Sequence, residues 1–248
     1  MKELKKRLRQ RFERALSSYD QAALIQAEMA ERLVAAIRDL GRPFQRVFEI
    51  GSGTGLLTKP AYQALKPEFY LASDLVPHCA QYLNGHPRLY FVAGDGEAPS
   101  WIKGKFDLII SNATFQWFLD LEKAFERLSR LLEPKGVLAF TTFGPMTMQE
   151  VLSAAGGRST HLLGPEKIKE IGQKLYRPLL EEVWPSFLYF QSPKEVLRHI
   201  RATGAMGFLP ASWSLKALKE WQRRYEEFRT PKGLRLTYQS MLFVWERR

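Results

Sequence analysis

Three glycines at alternate positions, Gly51, Gly53 and Gly55, follow directly after a short apolar run. The run itself, residues 46–50, is rich in β-forming side chains and predicts a buried strand. Glycine lets the chain turn tightly and approach a ligand with no Cβ in the way. A helix that opens at Leu56 would add free N–H groups and a positive dipole end. The stretch therefore predicts a strand, a glycine turn and a helix start that together bind a polar ligand.

Acidic residues follow two further apolar runs. Asp74 lies 19 residues after the last of these glycines, behind the run 69–72, and Asp95 follows the run 89–93. An acid at the end of a second strand can accept hydrogen bonds from both ribose hydroxyls of an adenosine. The loop is not the dinucleotide fingerprint, because Leu56 stands where that fingerprint has its third glycine. The pattern predicts an adenosine-binding loop, and the alternative is an ordinary glycine-rich turn.

The pattern E-x-G-x-G-x-G followed by an acid resembles the class I S-adenosylmethionine (SAM) methyltransferases. The resemblance implies SAM as the methyl donor, with its amino-acid end near the glycine turn and its adenosine end near the acids. It also implies that Asp95 hydrogen-bonds the adenine amino group. The residues expected to bind SAM are Glu49, Gly51, Ser52, Gly53, Asp74, Leu75, Asp95, Gly96, Glu97, Asn112 and Ala113.

Predicted strands and helices alternate five times along residues 46–142, and each strand is short and apolar. Such runs are typical of buried parallel strands in an α/β fold. Gly51, Asp74, Asp95 and Asn112 all fall just after strands, at the edge where open α/β sheets bind ligands. We therefore expect an α/β class I methyltransferase (Rossmann-like) fold with a seven-stranded, mostly parallel sheet and helices on both faces. An N-terminal helical lid and a helical insertion before the last strand complete the expected architecture.

We expect a single SAM-dependent methyltransferase domain in three parts. Residues 1–41 form the N-terminal helices or lid, and residues 42–145 form the SAM-binding core. Residues 146–248 add substrate-side helices and a terminal β-hairpin. Within these parts, Asp20 is predicted to cap the second helix, and the fifth strand is predicted to begin at Val137.

The composition is strongly basic, with 37 Lys and Arg against 26 Asp and Glu and a net charge of +11. Such a surface attracts polyanions, so nucleic acid and an acidic protein are both candidate partners. The alternative is a generally basic protein without a charged partner. The single cysteine, Cys79, excludes a disulfide framework and a cysteine-rich zinc site, and we expect no metal. No signal peptide and no apolar run of about 20 residues is evident, so we expect a cytoplasmic protein.

Residues 2–14 carry seven basic and two acidic residues, and an apolar residue recurs every four positions. This spacing predicts an amphipathic helix with a strongly basic face. The face is either solvated or a docking surface for an acidic partner. The candidate docking residues are Lys2, Lys5, Lys6, Arg7 and Arg9.

Further segments narrow the resemblance. These are Phe12 with residues 18–20, and residues 49–55, 112–117, 141–145, 201–205 and 236–238. With them the chain resembles, over nearly its whole length, the malonyl-[acyl-carrier protein] O-methyltransferases of biotin synthesis. Residues 156–182 match least clearly. The resemblance implies methylation of the free carboxylate of a malonyl thioester, with an acidic acyl-carrier protein as partner.

A carboxylate nucleophile needs no general base, and none is obvious in the sequence. We expect Tyr19, Gln116, Trp117 and Phe143 to line the acyl pocket and Arg201 to orient the carboxylate. Two alternatives stay open at this point. One is a SAM-dependent methyltransferase that acts on RNA or on a small carboxylic acid, and the other is a non-catalytic SAM-binding subunit.

Overall fold

The computed structural model of the protein describes residues 2–157, 161–205 and 213–248. None of the helices in these ranges combines the length and the apolar character that a membrane span requires. The α-helices are α1 (Lys2–Ala22), α2 (Leu24–Arg38), α3 (Thr58–Leu65), α4 (Leu121–Leu131), α5 (Gln149–Ala154), α6 (Pro165–Gly172), α7 (Pro193–Ala202) and α8 (Leu215–Tyr225). The strands are β1 (Arg46–Ile50), β2 (Phe69–Asp74), β3 (Leu89–Ala93), β4 (Phe106–Ser111), β5 (Leu132–Phe143), β6 (Tyr176–Phe190), β7 (Arg229–Thr230) and β8 (Gly233–Arg247). Short 3₁₀ helices cover Pro77–Tyr82, Phe115–Trp117 and Glu226–Phe228.

One sheet contains the strands in the order β3-β2-β1-β4-β5-β8-β6, and the two-residue β7 pairs with β8. The four pairings from β3 to β5 are all parallel. The order places β1 at the centre of the parallel part, between β2 and β4, so the loop after β1 lies at the crevice where such sheets bind ligands. The predicted α/β fold is confirmed. The sheet has eight strands and not the expected seven. The additional strand β7 has only two residues, too few to show a hydrophobic pattern in the sequence.

The chain divides into two compact units that are interleaved in sequence. The sheet unit contains β1 to β4 with α2, α3, α4 and α6, and the helical unit contains α1, α5, α7 and α8. Both β6 and β8 have residues in each unit. The sheet unit comprises residues 24–142, 164–183 and 241–248, and the helical unit comprises residues 1–23, 143–163 and 184–240.

Aromatic rings form the core of the sheet unit. The Phe140 ring lies 5.0 Å from Phe243, 5.3 Å from Trp245 and 5.6 Å from Phe125, measured between ring centroids. Gly172 leaves room for this cluster, because a Cβ at that position would lie 2.3 Å from the Trp245 ring. Offset and edge-on aromatic packing of this kind stabilises the core beyond its burial. It fixes β5, which ends at the candidate site residue Phe143.

A buried polar network organises the helical unit. The Glu150 carboxylate is fully buried and accepts hydrogen bonds from Arg235 Nε (2.9 Å) and from the Thr237 backbone N–H (3.0 Å). The indole N–H of Trp221 donates to the Val151 carbonyl oxygen (3.1 Å) and joins α8 to α5. Because every oxygen of the buried acid has a donor, the network stabilises the unit instead of leaving a buried charge uncompensated.

Two predicted boundaries are wrong. α1 continues through Asp20, which therefore does not cap α2. The Ser18 hydroxyl donates to the Ala15 carbonyl oxygen (3.1 Å), a local hydrogen bond that lets serine remain inside a helix. β5 begins at Leu132 instead of Val137, and an irregularity in its pairing with β4 absorbs the additional residues.

Candidate functional site

The glycine loop begins where β1 ends and is held against the end of β2. The N–H groups of Gly51 and Ser52 both donate to the Ser73 carbonyl oxygen, at 2.8 and 3.0 Å. Gly51 has φ +76°, and a Cβ there would lie 2.1 Å from Thr114 Oγ1 in the loop after β4. The loop thus requires glycine at this position for its backbone conformation and for its close contact with a neighbouring loop.

Asp74 connects the end of β2 to the glycine loop. Its Oδ2 accepts a hydrogen bond from the Gly53 N–H (2.9 Å), and its Oδ1 accepts one from the Val76 N–H (2.8 Å). Burial raises the pKa of Asp74 above its usual range, while these two backbone N–H groups act in the opposite direction. The Leu75 backbone N–H and the Cys79 thiol are further donors to this carboxylate, so a ligand that binds it must share or replace some of these donors. At Gly53 nothing lies within 4 Å of the position of a Cβ, so the loop faces open space there.

Glu49 is buried beneath the glycine loop. The Tyr70 hydroxyl donates to Glu49 Oε2 (2.7 Å). Burial raises the pKa of Glu49 to about 7, and the Tyr70 hydrogen bond only partly counteracts it. Glu49 Oε1 and Ser52 Oγ are buried and have no hydrogen-bond partner within the described part of the chain. Buried polar atoms normally have partners, so these two oxygens are candidate contacts for a polar ligand next to the loop.

The loop after β3 is pressed against the end of β1. A Cβ on Gly96 would lie 2.2 Å from the Ile50 side chain, so this position also requires glycine. Asp95 Oδ1 accepts a hydrogen bond from the Glu97 N–H (3.1 Å). Glu97 Oε1 accepts one from the Asp120 N–H (2.9 Å), which connects the loop to the start of α4. The contact with Ile50 brings Asp95 to the same edge of the sheet as the glycine loop.

The loop after β4 is held by side-chain hydrogen bonds. Asn112 donates to the Gln26 carbonyl oxygen (2.9 Å) and accepts from Thr141 Oγ1 (2.6 Å). Ala113 adopts a left-handed backbone conformation with φ +49°, a strained state for a residue with a Cβ. The Gln116 amide donates to the Ala113 carbonyl oxygen (2.6 Å) and accepts from the Thr142 hydroxyl (3.1 Å). These contacts fix the side chains of Asn112 and Gln116.

The remaining sequence-predicted residues of this edge are Leu75 and Trp117, and both are half-buried. Leu75 directly follows Asp74. Trp117 lies in the 3₁₀ helix after β4, where its backbone N–H donates to the Thr114 carbonyl oxygen (3.0 Å). All the residues predicted to bind SAM therefore lie in the sheet unit, on or directly after β1, β2, β3 and β4.

Three predicted substrate residues lie in the helical unit. Phe143 packs against Tyr238, with ring centroids 5.4 Å apart, and burial together with Tyr19 raises the pKa of Tyr238. The Tyr238 hydroxyl is hydrogen-bonded to His199 Nε2 (2.8 Å). Burial lowers the pKa of His199 to about 4, so the ring is neutral near pH 7. Phe143 and His199 thus contact Tyr238, and Tyr19 on α1 is close enough to affect the pKa of Tyr238, whereas Arg201 is exposed on α7.

Three residues that contact the candidate site residues were not predicted from the sequence: Thr114, Tyr70 and Tyr238. Thr114 and Tyr238 lie inside segments that carried the family resemblance, so a signal for them was present. Tyr70 had no such signal, because its contact with Glu49 depends on the register of β1 against β2, in which Val47 pairs with Tyr70.

Comparison with known proteins identifies the family. The family described as a methyltransferase domain matches residues 48–140. A malonyl-[acyl-carrier protein] O-methyltransferase from Chlorobium luteolum is 37% identical over 243 residues, which cover 93% of this chain and 91% of the relative. One from Calditerrivibrio nitroreducens is 34% identical over 234 residues, with 94% and 93% covered. The chain belongs to the malonyl-[acyl-carrier protein] O-methyltransferase family. The resemblance stated from the sequence is confirmed.

Solved structures of methyltransferases share the fold of this family member. The N-methyltransferase NodS from Bradyrhizobium japonicum, solved with S-adenosyl-L-homocysteine, is 14% identical and has a TM-score of 0.56, covering 97% of this chain and 98% of its own. A putative methyltransferase from Bacillus halodurans is 12% identical and has a TM-score of 0.62, covering 86% and 97%. At this identity the likeness concerns the fold alone.

Proposed function

We propose that this protein transfers a methyl group from SAM to the free carboxylate of a malonyl group carried by acyl-carrier protein. The product is the methyl ester, an early intermediate of biotin synthesis. The observation that carries the proposal is the similarity, along nearly the whole chain, to proteins named malonyl-[acyl-carrier protein] O-methyltransferase. The glycine loop with its two acids supplies independent support, because its residue types suit an adenosine joined to an amino acid.

The proposed cofactor contacts follow from the chemistry of the loops. Glu49 Oε1 and Ser52 Oγ, both buried and lacking a partner within the described part of the chain, would receive the ammonium group of SAM. Asp74 would accept the ribose hydroxyls, and Asp95 would accept the adenine amino group. When bound, SAM supplies an electrophilic methyl group on a cationic sulfur. The task of the chain is to align it with a nucleophile and to exclude water.

The choice of nucleophile agrees with the side chains present. A carboxylate attacks without losing a proton, so no general base is required. Gln116, a proposed acyl contact, has both ends of its amide hydrogen-bonded to Ala113 and Thr142, which would hold it in one orientation. Trp117 is proposed as a second acyl contact in the sheet unit, and Tyr19 and Phe143 are proposed for the helical unit. Esterification removes a charge that an apolar elongation site would otherwise have to desolvate.

Three acceptors separate this proposal from its rivals. The protein and SAM are incubated with malonyl-acyl-carrier protein, with RNA or with malonate, and formation of S-adenosylhomocysteine is measured. We expect turnover with the malonyl carrier protein alone. Turnover only with RNA or only with malonate would contradict the proposed substrate. SAM binding without turnover on any acceptor would favour a non-catalytic subunit.

Asp74→Ala is expected to weaken SAM binding by about 1–3 kcal/mol, because the ribose hydroxyls lose their buried acceptor. Isothermal calorimetry measures the change directly. Asp107 provides a matched control, since it also accepts two backbone N–H groups, from Gln45 (2.6 Å) and Arg46 (3.0 Å), but at the opposite end of β1. Asp107→Ala should lower stability and leave SAM affinity unchanged. Equal SAM affinity in the two variants would remove Asp74 from the cofactor site.

The basic face of α1 is proposed to contribute to docking of the carrier protein. Lys6 and Arg9 are exposed, whereas Arg7 forms an ion pair with Glu3 (3.3 Å), and the Lys2 side chain lies outside the described residues. Reversing the charges of Lys5, Lys6 and Arg9 to Glu should lower kcat/KM for malonyl-acyl-carrier protein by about tenfold, because electrostatic steering is lost. The same variant should turn over malonyl-N-acetylcysteamine, a small thioester, normally. An equal loss with both thioesters would argue against docking at α1.

A further inference from the structure

The excess basic charge is confined to the helical unit. By sequence, that unit contains 18 Lys and Arg against 8 Asp and Glu, whereas the sheet unit contains 19 against 18. A generally basic protein would carry its charge on both units. The asymmetry indicates that the excess positive charge has a function that is specific to the helical unit.

Some exposed cations of this unit are paired with nearby acids, whereas Lys216 and Lys219 on α8 are exposed and have no ion pair in the described part of the chain. On α8, Arg223 and Arg224 both form ion pairs with Glu220, at 2.9 and 2.8 Å. In the segment that follows, Arg229 pairs with Glu226 at 2.7 Å. Pairs of this kind lower the potential that a partner protein would experience.

On the helix α7 none of the exposed cations is paired. Lys194, Arg198 and Arg201 are all exposed, and none of them has an ion pair with any residue that the structure describes. Glu195, the acid in the first turn of α7, instead accepts a hydrogen bond from the Gln191 N–H (3.0 Å). We call Lys194, Arg198 and Arg201 the α7 stripe.

The spacing of the α7 stripe is i, i+4 and i+7, which places its three cations on one face of the helix. The opposite face contains Val196 and Ile200, both fully buried. Like charges at this spacing repel each other and destabilise a helix. Lys194 also lies in the first turn, where the helix dipole disfavours a cation. None of the three cations forms an ion pair in the described part of the chain, so a negatively charged partner would relieve their mutual repulsion.

We infer that the α7 stripe is a docking surface for the acidic face of the carrier protein. The inference deepens the proposed function and rests on it. Over seven residues the stripe extends about 10 Å, the distance over which an acidic helix presents carboxylates at the same spacing. An acidic carrier protein is complementary to the stripe in charge, and complementary charges would set its orientation and speed its capture.

The basic helix α1 packs against the C-terminal end of α7. The Ser18 hydroxyl of α1 donates to the Ala202 carbonyl oxygen at the end of α7 (3.3 Å). Gly204 packs against Phe12 so closely that a Cβ would lie 2.8 Å from the ring. Because α1 and α7 pack directly, a partner seated on the α7 stripe would also approach the cations of α1. Because Arg201 is exposed, the carrier protein is a candidate partner for it, in addition to the substrate carboxylate.

The double variant Lys194→Glu/Arg198→Glu tests the inference. We expect KM for malonyl-acyl-carrier protein to rise about tenfold or more, with kcat unchanged, because docking and not chemistry is affected. Kinetics with malonyl-N-acetylcysteamine should equal those of the unaltered protein, which also shows that the variant folds. The dependence of KM on salt should become weaker, since fewer charges are screened.

A matched control reverses two exposed lysines of the sheet unit, Lys66→Glu and Lys103→Glu, and changes the net charge equally. Its KM for the carrier protein should stay near that of the unaltered protein. An equal rise in both double variants would overturn the inference, because total charge would then explain the effect. An equal loss of activity on the small thioester would also overturn it.

Calorimetric measurement of carrier-protein binding distinguishes a failure of this inference from a failure of the proposed function. Failure of the unaltered protein to methylate either thioester overturns the proposed function. The titration with acyl-carrier protein still tests the α7 stripe in that case. Loss of binding in Lys194→Glu/Arg198→Glu, with binding retained in the control, supports the stripe, and unchanged binding refutes it.

Discussion

Gly51→Ala is expected to remove measurable SAM binding and to lower the free energy of unfolding by about 2–5 kcal/mol. Two effects add. The left-handed backbone at φ +76° is strained for alanine, and the new methyl group would lie 2.1 Å from Thr114 Oγ1. Because the neighbouring atom belongs to the loop after β4, relief of the clash must move one of the two loops that define the cofactor site. Thermal unfolding and calorimetry measure the two losses.

Gly41→Ala is the control for this variant. Gly41 has nearly the same backbone conformation, with φ +65°, and nothing lies within 4 Å of the position of its Cβ. It therefore reports the conformational strain alone, about 1–2 kcal/mol, and should leave SAM affinity unchanged. If Gly51→Ala behaved like Gly41→Ala in both measurements, the close contact between the glycine loop and Thr114 would have no role in the site.

Glu49→Gln is expected to stabilise the SAM-free protein at pH 7.5 while weakening SAM binding. The pKa of Glu49 is raised by burial from 4.5 to about 7, so the folded protein retains a proton that the unfolded chain has released. Stability therefore falls as the pH rises from about 4.5 to 7, by about 3 kcal/mol, and the loss is complete above the folded pKa. Glutamine removes this loss and still accepts the hydrogen bond of Tyr70. Chemical unfolding at pH 5 and pH 7.5 measures the difference.

The same carboxylate should make SAM binding depend on pH. A cationic ligand favours ionised Glu49, so the affinity of the unaltered protein should fall about threefold to tenfold between pH 7.5 and pH 6 as Glu49 gains a proton. In Glu49→Gln the affinity should be lower at pH 7.5 and should not change over this range. A Glu49→Gln variant that is less stable at pH 7.5, or that keeps the pH dependence, would contradict a buried, ligand-facing acid.

The cofactor loops could be predicted from the sequence because their signals are local. Glycines at positions with positive φ, and acids directly after apolar runs, are properties of short segments, and parallel strands then bring Gly51, Asp74 and Asp95 to one edge. The division into two units could not be predicted in this way. The helical unit combines three separate stretches of chain, and only their packing shows which helices belong together.

Long-range contacts explain the other differences. Asp20 has the residue type of a helix cap, yet α1 continues past it, because α1 packs against α7 through Phe12 and Ser18. Packing of this kind overrides local propensity. His199 and Tyr238 are 39 residues apart in sequence, and no spacing rule connects them. Their hydrogen bond joins α7 to β8.

The most direct test of the account is intact-mass spectrometry of malonyl-acyl-carrier protein after incubation with this protein and SAM. We expect the carrier protein to gain the mass of one methylene group, and mild base to remove that gain, because an ester and not an amine or ether has formed. No gain under conditions in which calorimetry detects SAM binding would contradict the proposed substrate. A gain that resists base would contradict methylation of the carboxylate.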